Sequence, residues 1–398
     1  MNNQWGFSFK KTPSLNLETK FPSDSSCAGK KSFFRLLLSN MKILIATGIY
    51  PPDIGGPATY SKLLYDELPK RGYSVKILSF REVRGLPKAI RHLVYFLKIL
   101  RRGRKCDIIF AQDPVSVGLP AMIASKILKK KFMIRVAGDY AWEQAFQRFG
   151  CMDSIDDFQL KKYGFRVEML RWLQKFVVSR ADKVIVPSHY FNKLVSSWIA
   201  DISKVETIYN GIDFSDIPEE KPNFDAKTII SAGRLIKLKG FEFLIKTMRI
   251  LSEWKLFIAG DGPDREKLAK TINNLAMEDR VFLLGNLSRA DLIKKMRQCE
   301  VFALGSFSES FSFITVEAMR ACVPVIATNV GSLPEIVENG KEGILIEPNN
   351  EGQLLSAIKK IDGDEDFRNS IIKNAKKKSE NFSINKTLDR LTEIMAKL

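Results

Sequence analysis

Short apolar runs and longer segments of helical periodicity alternate along the chain from residue 41 onward. A first series of strand-like runs occupies residues 42–46, 74–79, 108–111, 132–136, 183–186 and 206–209. A second series occupies residues 228–232, 255–259, 281–284, 301–304, 325–328 and 343–346. Helical periodicity lies between them, as in residues 60–71, 241–252, 265–274 and 291–298. Repeated strand–helix alternation predicts parallel sheets covered by helices on both faces, and two series predict two such domains.

The domain boundary is predicted near Tyr209-Asn210-Gly211, because Asn-Gly favours a sharp turn. We expect one doubly wound, Rossmann-like α/β domain over residues 41–210 and another over residues 211–380. A C-terminal helix in residues 381–398 is expected to pack back onto the first domain. Open α/β sheets bind ligands at the carboxyl ends of their strands, so two facing sheets would form a cleft between the domains.

The first 40 residues differ in character from the rest of the chain. They are rich in Ser, Asn and Lys and show no clear periodicity. They are expected to be a disordered extension, with Met41 as a plausible true start of the chain. An amphipathic helix over residues 32–38 is the alternative.

Residues 306–319 read SFSESFSFITVEAM and hold two glutamates, Glu309 and Glu317, eight positions apart. Apolar and polar residues alternate up to Phe313, and good helix formers come after it. The change predicts an extended turn that enters a helix near Ser312, where small polar residues favour capping and an anion site. A capped helix with two solvated carboxylates is the alternative.

Three further segments fall at predicted strand ends. Gly55 and Gly56 come after the first strand, and paired glycines let a backbone approach a phosphate closely. Arg234 and Lys239 come after the first strand of the second series, where two cations could clamp a diphosphate. Gly260 lies in the turn GDGP. Taken singly, each is equally compatible with an ordinary turn or an exposed cation.

In order and spacing, these motifs resemble the retaining glycosyltransferases of family 4, which have the GT-B fold. The resemblance rests on GRLIKLKG, GDGP, the E-x7-E segment ending in EAM, PVIAT and VGSLPEIV. GGPATYSKLL, VIVPSHY and YNGID extend it over nearly everything from residue 41 to the C-terminus. It implies two Rossmann-like domains facing each other across a cleft, with the acceptor bound by the first and the nucleotide sugar by the second.

The resemblance also implies roles for individual residues. Glu309 would serve the donor sugar and Glu317 the nucleotide ribose, while Arg234 and Lys239 would hold the diphosphate. The remaining donor-binding residues that it implies are Gly55, Gly56, Gly260, Leu287, Phe311, Ser312, Phe313 and Ile314. Cations and a helix N-terminus aimed at the leaving oxygen would stabilise the charge that develops there. No metal or other cofactor is implied.

The sequence departs from the family at one position. Many relatives carry a histidine in the acceptor domain close to the donor sugar, whereas this chain reads RVAGDYAWE at the comparable strand end. Asp139 is the candidate for the sugar-facing catalytic residue, and it would also orient the acceptor hydroxyl. A helix-capping aspartate is the alternative.

Charge and cysteine content indicate which kind of partner and which redox compartment to expect. The net charge of +18 lies entirely in residues 1–210, because residues 211–398 hold 28 basic and 28 acidic residues. One basic half suggests an anionic partner on that side. Five scattered cysteines without CxxC spacing fit reduced thiols in the cytoplasm, and two histidines are too few for a zinc cluster. No apolar run is long enough to span a bilayer.

Residues 84–105 combine eight Lys or Arg with an apolar stripe. Basic amphipathic helices lie on anionic membranes, so this segment predicts peripheral attachment to the inner face of the cell membrane. A helix packed on the core with a solvated basic edge is the alternative.

The resemblance therefore implies a retaining hexosyltransferase. It would move a hexosyl unit from a UDP- or GDP-sugar to a hydroxyl of a sugar or lipid-linked acceptor, in cell-surface glycan or glycolipid synthesis. A GT-B sugar-nucleotide epimerase and a nucleic-acid-binding protein are the alternatives. Charge alone favours the latter, yet the donor motifs lie in the neutral half, so no nucleic-acid partner is expected.

Overall fold

Two parallel sheets form the framework of the chain in the computed structural model, which describes residues 41–53, 55–220 and 222–398. In the first sheet the spatial order is β2-β1-β3-β4-β5-β6. Its strands are β1 (Lys42–Thr47), β2 (Ser74–Ser79), β3 (Ile108–Ala111), β4 (Lys131–Arg135), β5 (Lys183–Val186) and β6 (Val205–Thr207). The predictions for residues 1–40 lie outside the described residues.

The second sheet repeats this plan with the order β12-β11-β10-β7-β8-β9. Its strands are β7 (Asp225–Ala232), β8 (Lys255–Ala259), β9 (Val281–Gly285), β10 (Cys299–Leu304), β11 (Val325–Thr328) and β12 (Ile344–Ile346). All pairings between neighbouring strands are parallel. In each sheet the strand order reverses beside the first strand, β1 or β7, and such a switch point is where open α/β sheets bind ligands. The predicted fold class is confirmed.

Helices cover both faces of the first sheet. They are α1 (Gly56–Glu67), α2 (Lys88–Gly103), α3 (Gly118–Leu128), α4 (Tyr140–Arg148), α5 (Ile155–Leu160), α6 (Phe165–Ser179) and α7 (His189–Ser196). The helix predicted over residues 60–71 begins earlier, at Gly56, because Pro57 supplies a preformed first turn. It also ends earlier, and Pro69 opens a separate 3-10 turn.

The second sheet is covered in the same way. Its helices are α8 (Phe241–Thr247), α9 (Arg265–Asn274), α10 (Arg289–Met296), α11 (Phe313–Arg320), α12 (Leu333–Ile336), α13 (Glu351–Gly363) and α14 (Glu365–Ser379). Helix α8 is shorter than the predicted 241–252, because the amides of Arg249 and Ile250 bond three residues back and tighten its last turn.

The last helix, α15 (Ile384–Ala396), packs against the first domain although it comes after the second along the chain. Its buried side chains Leu388 and Leu391 join a cluster with Ile43 and Ile45 of β1. The chain thus crosses between the domains twice. Among the described helices, none is long and apolar enough to cross a membrane.

Candidate active site

A cavity of about 530 Å³ lies between the two domains, where the carboxyl ends of both sheets meet. Loops after β1, β3 and β4 form one wall, and loops after β7 and β10 form the other. The predicted site residues that line it are Gly55, Gly56, Arg234, Lys239, Glu309, Phe311, Ser312, Phe313 and Ile314. Residues that lie far apart in sequence therefore surround one space.

A second cavity, of about 500 Å³, adjoins the first and shares Ile49, Ala232, Gly233, Arg234 and Ile314 with it. Two more predicted donor-binding residues, Gly260 and Leu287, line this space. Asp53 and Arg84 of the first domain also reach it and form an ion pair there, with Arg84 Nη2 3.0 Å from Asp53 Oδ2. The two cavities together provide room for a ligand of more than one part.

An ion pair forms the centre of the first cavity on the side of the second domain. Lys239 Nζ donates to Glu309 Oε1 over 2.6 Å, and the hydroxyl of Ser306 donates to the same oxygen over 2.7 Å. Glu309 is 5% exposed and Lys239 is part-exposed to the cleft. Because two donors hold it, the Glu309 carboxylate has a fixed orientation before any ligand arrives.

Two glycines let the backbone come close enough to form this arrangement. Gly240 is next to Lys239 and has φ +66°, and a Cβ there would lie 1.9 Å from the carbonyl oxygen of Gly305. Gly331 has φ +56°, and a Cβ there would lie 2.1 Å from the carbonyl oxygen of Glu309. The amide of Ser332 donates to that same oxygen over 2.9 Å. The Glu309 loop is therefore held from both sides by backbone contacts that no larger residue permits.

Helix α11 begins at Phe313, as the sequence predicts, with its N-terminus at the cavity. The Ser312 hydroxyl accepts from Thr315 Oγ1 over 2.8 Å and makes no cap hydrogen bond to a backbone amide. First-turn amides that no side chain caps remain able to bind an anion. Gly56 of the opposite domain approaches within 3.4 Å of the Phe313 ring, measured from an added Cβ.

Glu317, the second glutamate of the segment, lies one turn further along α11 and is not among the described residues that line either cavity. Arg289 Nε donates to its carboxylate over 2.7 Å, and the same guanidinium pairs with Asp216. Burial raises the pKa of Glu317, and the Arg289 guanidinium opposes that rise. The structure thus separates the two glutamates: Glu309 lines the cavity and pairs with Lys239, whereas Glu317 pairs with Arg289 and lines neither cavity.

Asp139 is not brought to the cavity. It is 1% exposed and caps helix α4, where its Oδ1 accepts from the Trp142 amide over 3.1 Å. Gln174 and Gln159 donate to its two oxygens, each over 2.8 Å. All of these bonds lie within the first domain, so the carboxylate is occupied by the cap. The helix-capping alternative describes its position.

The wall of the first domain instead presents polar residues that the sequence did not single out. Gln112 comes directly after β3, Arg135 ends β4, and Glu143 lies one turn into α4. Burial raises the pKa of Glu143 to about 7, and the negative charges of Asp139 and Asp113 add to the effect. The positions of Gln112 and Arg135 at strand ends were the available signal, whereas Glu143 had none.

In the part of the chain that the structure describes, no group of three or more His, Cys, Asp or Glu side chains could hold a metal ion.

Two family models match the chain and together span most of it. The model described as Glycosyltransferase Family 4 matches residues 54–216, and the model described as Glycosyl transferases group 1 matches residues 213–378. The chain belongs to the family 4 glycosyltransferases. The meeting point of the two matches coincides with the passage from the first sheet to the second.

Relatives of this glycosyltransferase cover it to different extents. An uncharacterized glycosyltransferase of Methanocaldococcus jannaschii is 26% identical over 90% of this chain and 99% of its own length. The N-acetylgalactosamine-N,N'-diacetylbacillosaminyl-diphospho-undecaprenol 4-alpha-N-acetylgalactosaminyltransferase of Campylobacter jejuni is 31% identical over 53% of this chain and 60% of its own. The chain spans between about half and nearly all of the length of the curated relatives it matches.

Among solved structures, Anabaena HepE in complex with UDP and glucose aligns with a TM-score of 0.73 at 20% identity. The alignment covers 90% of this glycosyltransferase and all of HepE. At this identity the likeness establishes the shared fold.

Replacing Gly331 by alanine should disturb the Glu309 loop more than backbone strain alone explains. Gly340 is the matched control, because it also has a positive φ, +78°, but open space where a Cβ would point. We expect Gly340→Ala to cost about 1–2 kcal/mol for the left-handed conformation. Gly331→Ala should cost roughly 1–3 kcal/mol more, since the Glu309 carbonyl must move. Urea unfolding of the two variants measures the difference, and equal losses would contradict a constrained loop.

Proposed function

We propose that this enzyme is a retaining hexosyltransferase that uses a UDP- or GDP-sugar and a hydroxyl of a sugar or lipid-linked acceptor. The observation that carries the proposal is the convergence of Arg234, Lys239, Glu309 and the α11 N-terminus on one cavity. Support comes from HepE, whose structure holds UDP and glucose, and from the Campylobacter enzyme, whose name specifies a diphospho-undecaprenol-linked acceptor. A role in cell-surface glycan or glycolipid synthesis is proposed on the basis of such an acceptor.

The donor is proposed to span both cavities, with its diphosphate at their junction. Arg234 lines both spaces and makes no ion pair with the described residues. Lys239 lies on the same wall, and the amides of the first α11 turn point to the same region. These groups would stabilise the negative charge that forms on the diphosphate as the sugar–oxygen bond breaks. No metal is proposed for this step, because two side-chain cations and the helix N-terminus supply the positive potential.

The two glutamates are proposed to act on different parts of the donor. Glu309, fixed by Lys239 and Ser306, would accept from sugar hydroxyls. Glu317, which pairs with Arg289 and comes three residues after the cavity-lining Ile314, would bind the ribose. Retention of configuration is proposed from the family resemblance, through reaction on a single face of the sugar. An epimerase and a nucleic-acid-binding protein receive no support from the comparisons.

Peripheral attachment to an anionic membrane is proposed through α2. Tyr95 and Ile99 on its inner face are buried, and the Tyr95 hydroxyl donates to the Leu78 carbonyl over 2.8 Å. Its outer face leaves Ile90, Leu93 and Leu97 more than half exposed, at spacings of three and four. The helix is therefore both packed on the core and apolar on its outside, so the two interpretations of residues 84–105 are compatible.

Charge and neighbouring helices favour a membrane as the occupant of this face. Arg101, Arg104 and Lys105 are exposed at the end of α2, next to its apolar stripe. Helix α3 packs beside α2 and exposes Ile127, and α6 contacts α3 and exposes Trp172. Apolar side chains rimmed by cations match the interfacial region of a bilayer with anionic lipids.

Nucleotide binding tests the proposed function directly. In a thermal-shift panel of UDP, GDP, ADP and CDP with their sugars, one base should raise the melting temperature, since a ligand that binds only the folded state stabilises it. Arg234→Ala should lower the affinity for that nucleoside diphosphate by roughly 10- to 100-fold, because one or two charge-assisted hydrogen bonds are lost. Lys237→Ala is the matched control, because Lys237 is an exposed cation three residues away that does not line the cleft cavities. No response to any nucleotide would reject the function.

Replacing Glu317 by alanine should lower nucleotide affinity, whereas replacing Glu309 should lower turnover. Glu317→Ala should weaken the bare nucleoside diphosphate and the donor alike, because ribose contacts are made equally in ground and transition states. Glu309→Ala should leave diphosphate affinity nearly unchanged, because the product lacks the sugar and Lys239 stays available for phosphate. Its cost should appear in turnover. Calorimetry on both variants measures this, with melting temperatures as the check on folding. Equal diphosphate affinities would contradict the division of roles.

Membrane binding should depend on the outer face of α2. Co-sedimentation should show binding to phosphatidylglycerol-containing vesicles that weakens with salt, since each near-surface Lys or Arg contributes only about 1 kcal/mol. The double variant Leu93→Gln, Leu97→Gln should lose most of this binding. Ile250→Gln is the control, because Ile250 is 57% exposed on the second domain. Equal binding to neutral phosphatidylcholine vesicles, or none to anionic ones, would contradict the proposal.

A further inference from the structure

The first-domain wall of the cleft carries buried polar groups that have no partner within the protein. Gln112 is 2% exposed, yet neither its Oε1 nor its Nε2 bonds to any described residue. Arg135 is also 2% exposed; its Nη2 donates to Asn210 Oδ1 over 2.7 Å, while its Nη1 has no partner among the described residues. Both line the cavity. Because buried polar groups are nearly always hydrogen-bonded, these atoms are available to bond with a group that enters the cavity.

Glu143 faces the same space. Its half-buried carboxyl lines the cavity, and no described residue donates to it. It lies against the backbone of Gly138, where a Cβ would come within 2.2 Å of Glu143 Oε1. Asp139 anchors the start of α4 through its cap, and Glu143 comes four residues later on the same face. The fold thus places a carboxylate at the cleft and makes room for it with a glycine.

Ionisation of Glu143 is unfavourable when no ligand is bound. Several charged groups face the cavity or act on Glu143 from the surrounding elements: Asp139 at the start of α4, Asp113 after β3, Arg135 on β4, and Arg234, Lys239 and Glu309 across the cleft. Burial raises the pKa of Glu143 to about 7, and Asp139 and Asp113 also oppose its ionisation. An ionised group without a partner costs stability in the free state and is compensated only when a ligand donates to it.

We propose that Glu143 and Gln112 form a binding site for a sugar hydroxyl of the acceptor, with Glu143 accepting a hydrogen bond from that hydroxyl. The inference rests on the proposed function and names the residues that would orient the acceptor. A hydroxyl both donates and accepts hydrogen bonds. The Glu143 carboxylate and Gln112 Oε1 can accept from it, and Gln112 Nε2 can donate to it. Glu143 and Asp113 give this wall two carboxyl groups beside, among its described residues, the single cation Arg135, whereas the opposite wall holds Arg234 and Lys239 beside Glu309, so a diphosphate is better placed there.

The protonation state of Glu143 gives the site a pH dependence with a definite sign. The folded-state pKa is raised, so the side chain is neutral below about pH 7 and ionised above it. An ionised Glu143 carboxylate accepts a stronger hydrogen bond from a sugar hydroxyl than the neutral carboxyl does. The KM for the acceptor should therefore fall as pH rises through about 7. The free energy of unfolding should also fall as pH rises. The reason is that a carboxyl whose pKa is higher in the folded state than in the unfolded state destabilises the fold between those two pKa values.

Two variants of the full-length enzyme test the site: Glu143→Gln, which keeps size and removes ionisation, and Gln112→Met, which keeps length and removes the amide. Transfer from the nucleotide sugar that the thermal-shift panel identifies is measured with octyl glycosides as acceptors between about pH 6 and 8.5, a range that brackets the Glu143 pKa. We expect about a 10-fold higher acceptor KM at about pH 8 in Glu143→Gln, and little pH dependence of KM near 7. The affinity for the nucleoside diphosphate should stay at the wild-type value, and the melting temperature above the Glu143 pKa should rise.

Glu67→Gln is the matched control, because it removes a carboxylate of the same domain that pairs with Lys70 at the surface. An unchanged acceptor KM with an unchanged pH profile in Glu143→Gln would overturn the inference, as would a diphosphate affinity that falls as much as acceptor KM rises. An unchanged acceptor KM in Gln112→Met would remove Gln112 from the site. If the wild type binds no nucleotide and transfers no sugar, the proposed function itself fails, which is a distinguishable result.

Discussion

The relative placement of the two sheets depends on a double crossing of the chain between them. Where it first passes from one domain to the other, the Ile212 amide donates to the Phe382 carbonyl over 2.9 Å, and the Ile384 amide donates to the Ile212 carbonyl over 3.1 Å. Glu335 adds a third connection, because its carboxylate accepts from the His189 and Tyr190 amides at the N-terminus of α7. A carboxylate at a helix N-terminus is a favourable contact, so these bonds hold the strand ends of both sheets towards one space.

Facing parallel sheets give the cleft two walls of different character. The second-domain wall presents Lys239 and Arg234 beside a helix N-terminus, which favours anions. The first-domain wall presents the Glu143 carboxyl and the Gln112 amide, which suit hydroxyl groups, beside the buried guanidinium of Arg135. The asymmetry comes from the segments after the strands: glycine-rich turns and cations after β7, and polar side chains after β3 and β4. Such a division suits the proposed two-substrate reaction, because the anionic donor and the hydroxyl of the acceptor would each have a wall of matching character.

The sequence predicted the framework and the residues that line the second-domain wall of the cleft better than those of the first-domain wall. Strand periodicity located all twelve strands of the described sheets to within a few residues, and the change of period at Phe313 located the start of α11. Local rules could not choose between Asp139 and Glu143, because the choice depends on Gln159 and Gln174, which approach Asp139 from later elements and occupy its oxygens. The Arg289 partner of Glu317 and the unpartnered state of Gln112 likewise arise only from tertiary packing.

The segment over residues 84–105 connects the proposed membrane face with the cleft. Arg84 pairs with Asp53 at the second cavity, and helix α2 starts four residues later, after the part-exposed Leu86. Four residues of extended chain reach at most about 14 Å. An acceptor head group attached to a lipid in the membrane under α2 would therefore begin close to the cleft. Because α2 is anchored by Tyr95 and by Arg102, whose guanidinium binds Glu82, its apolar outer face keeps a fixed position relative to the site. Docking of that face would orient the cleft towards the bilayer, so the same short segment would serve both the nucleotide cavity and the supply of acceptor.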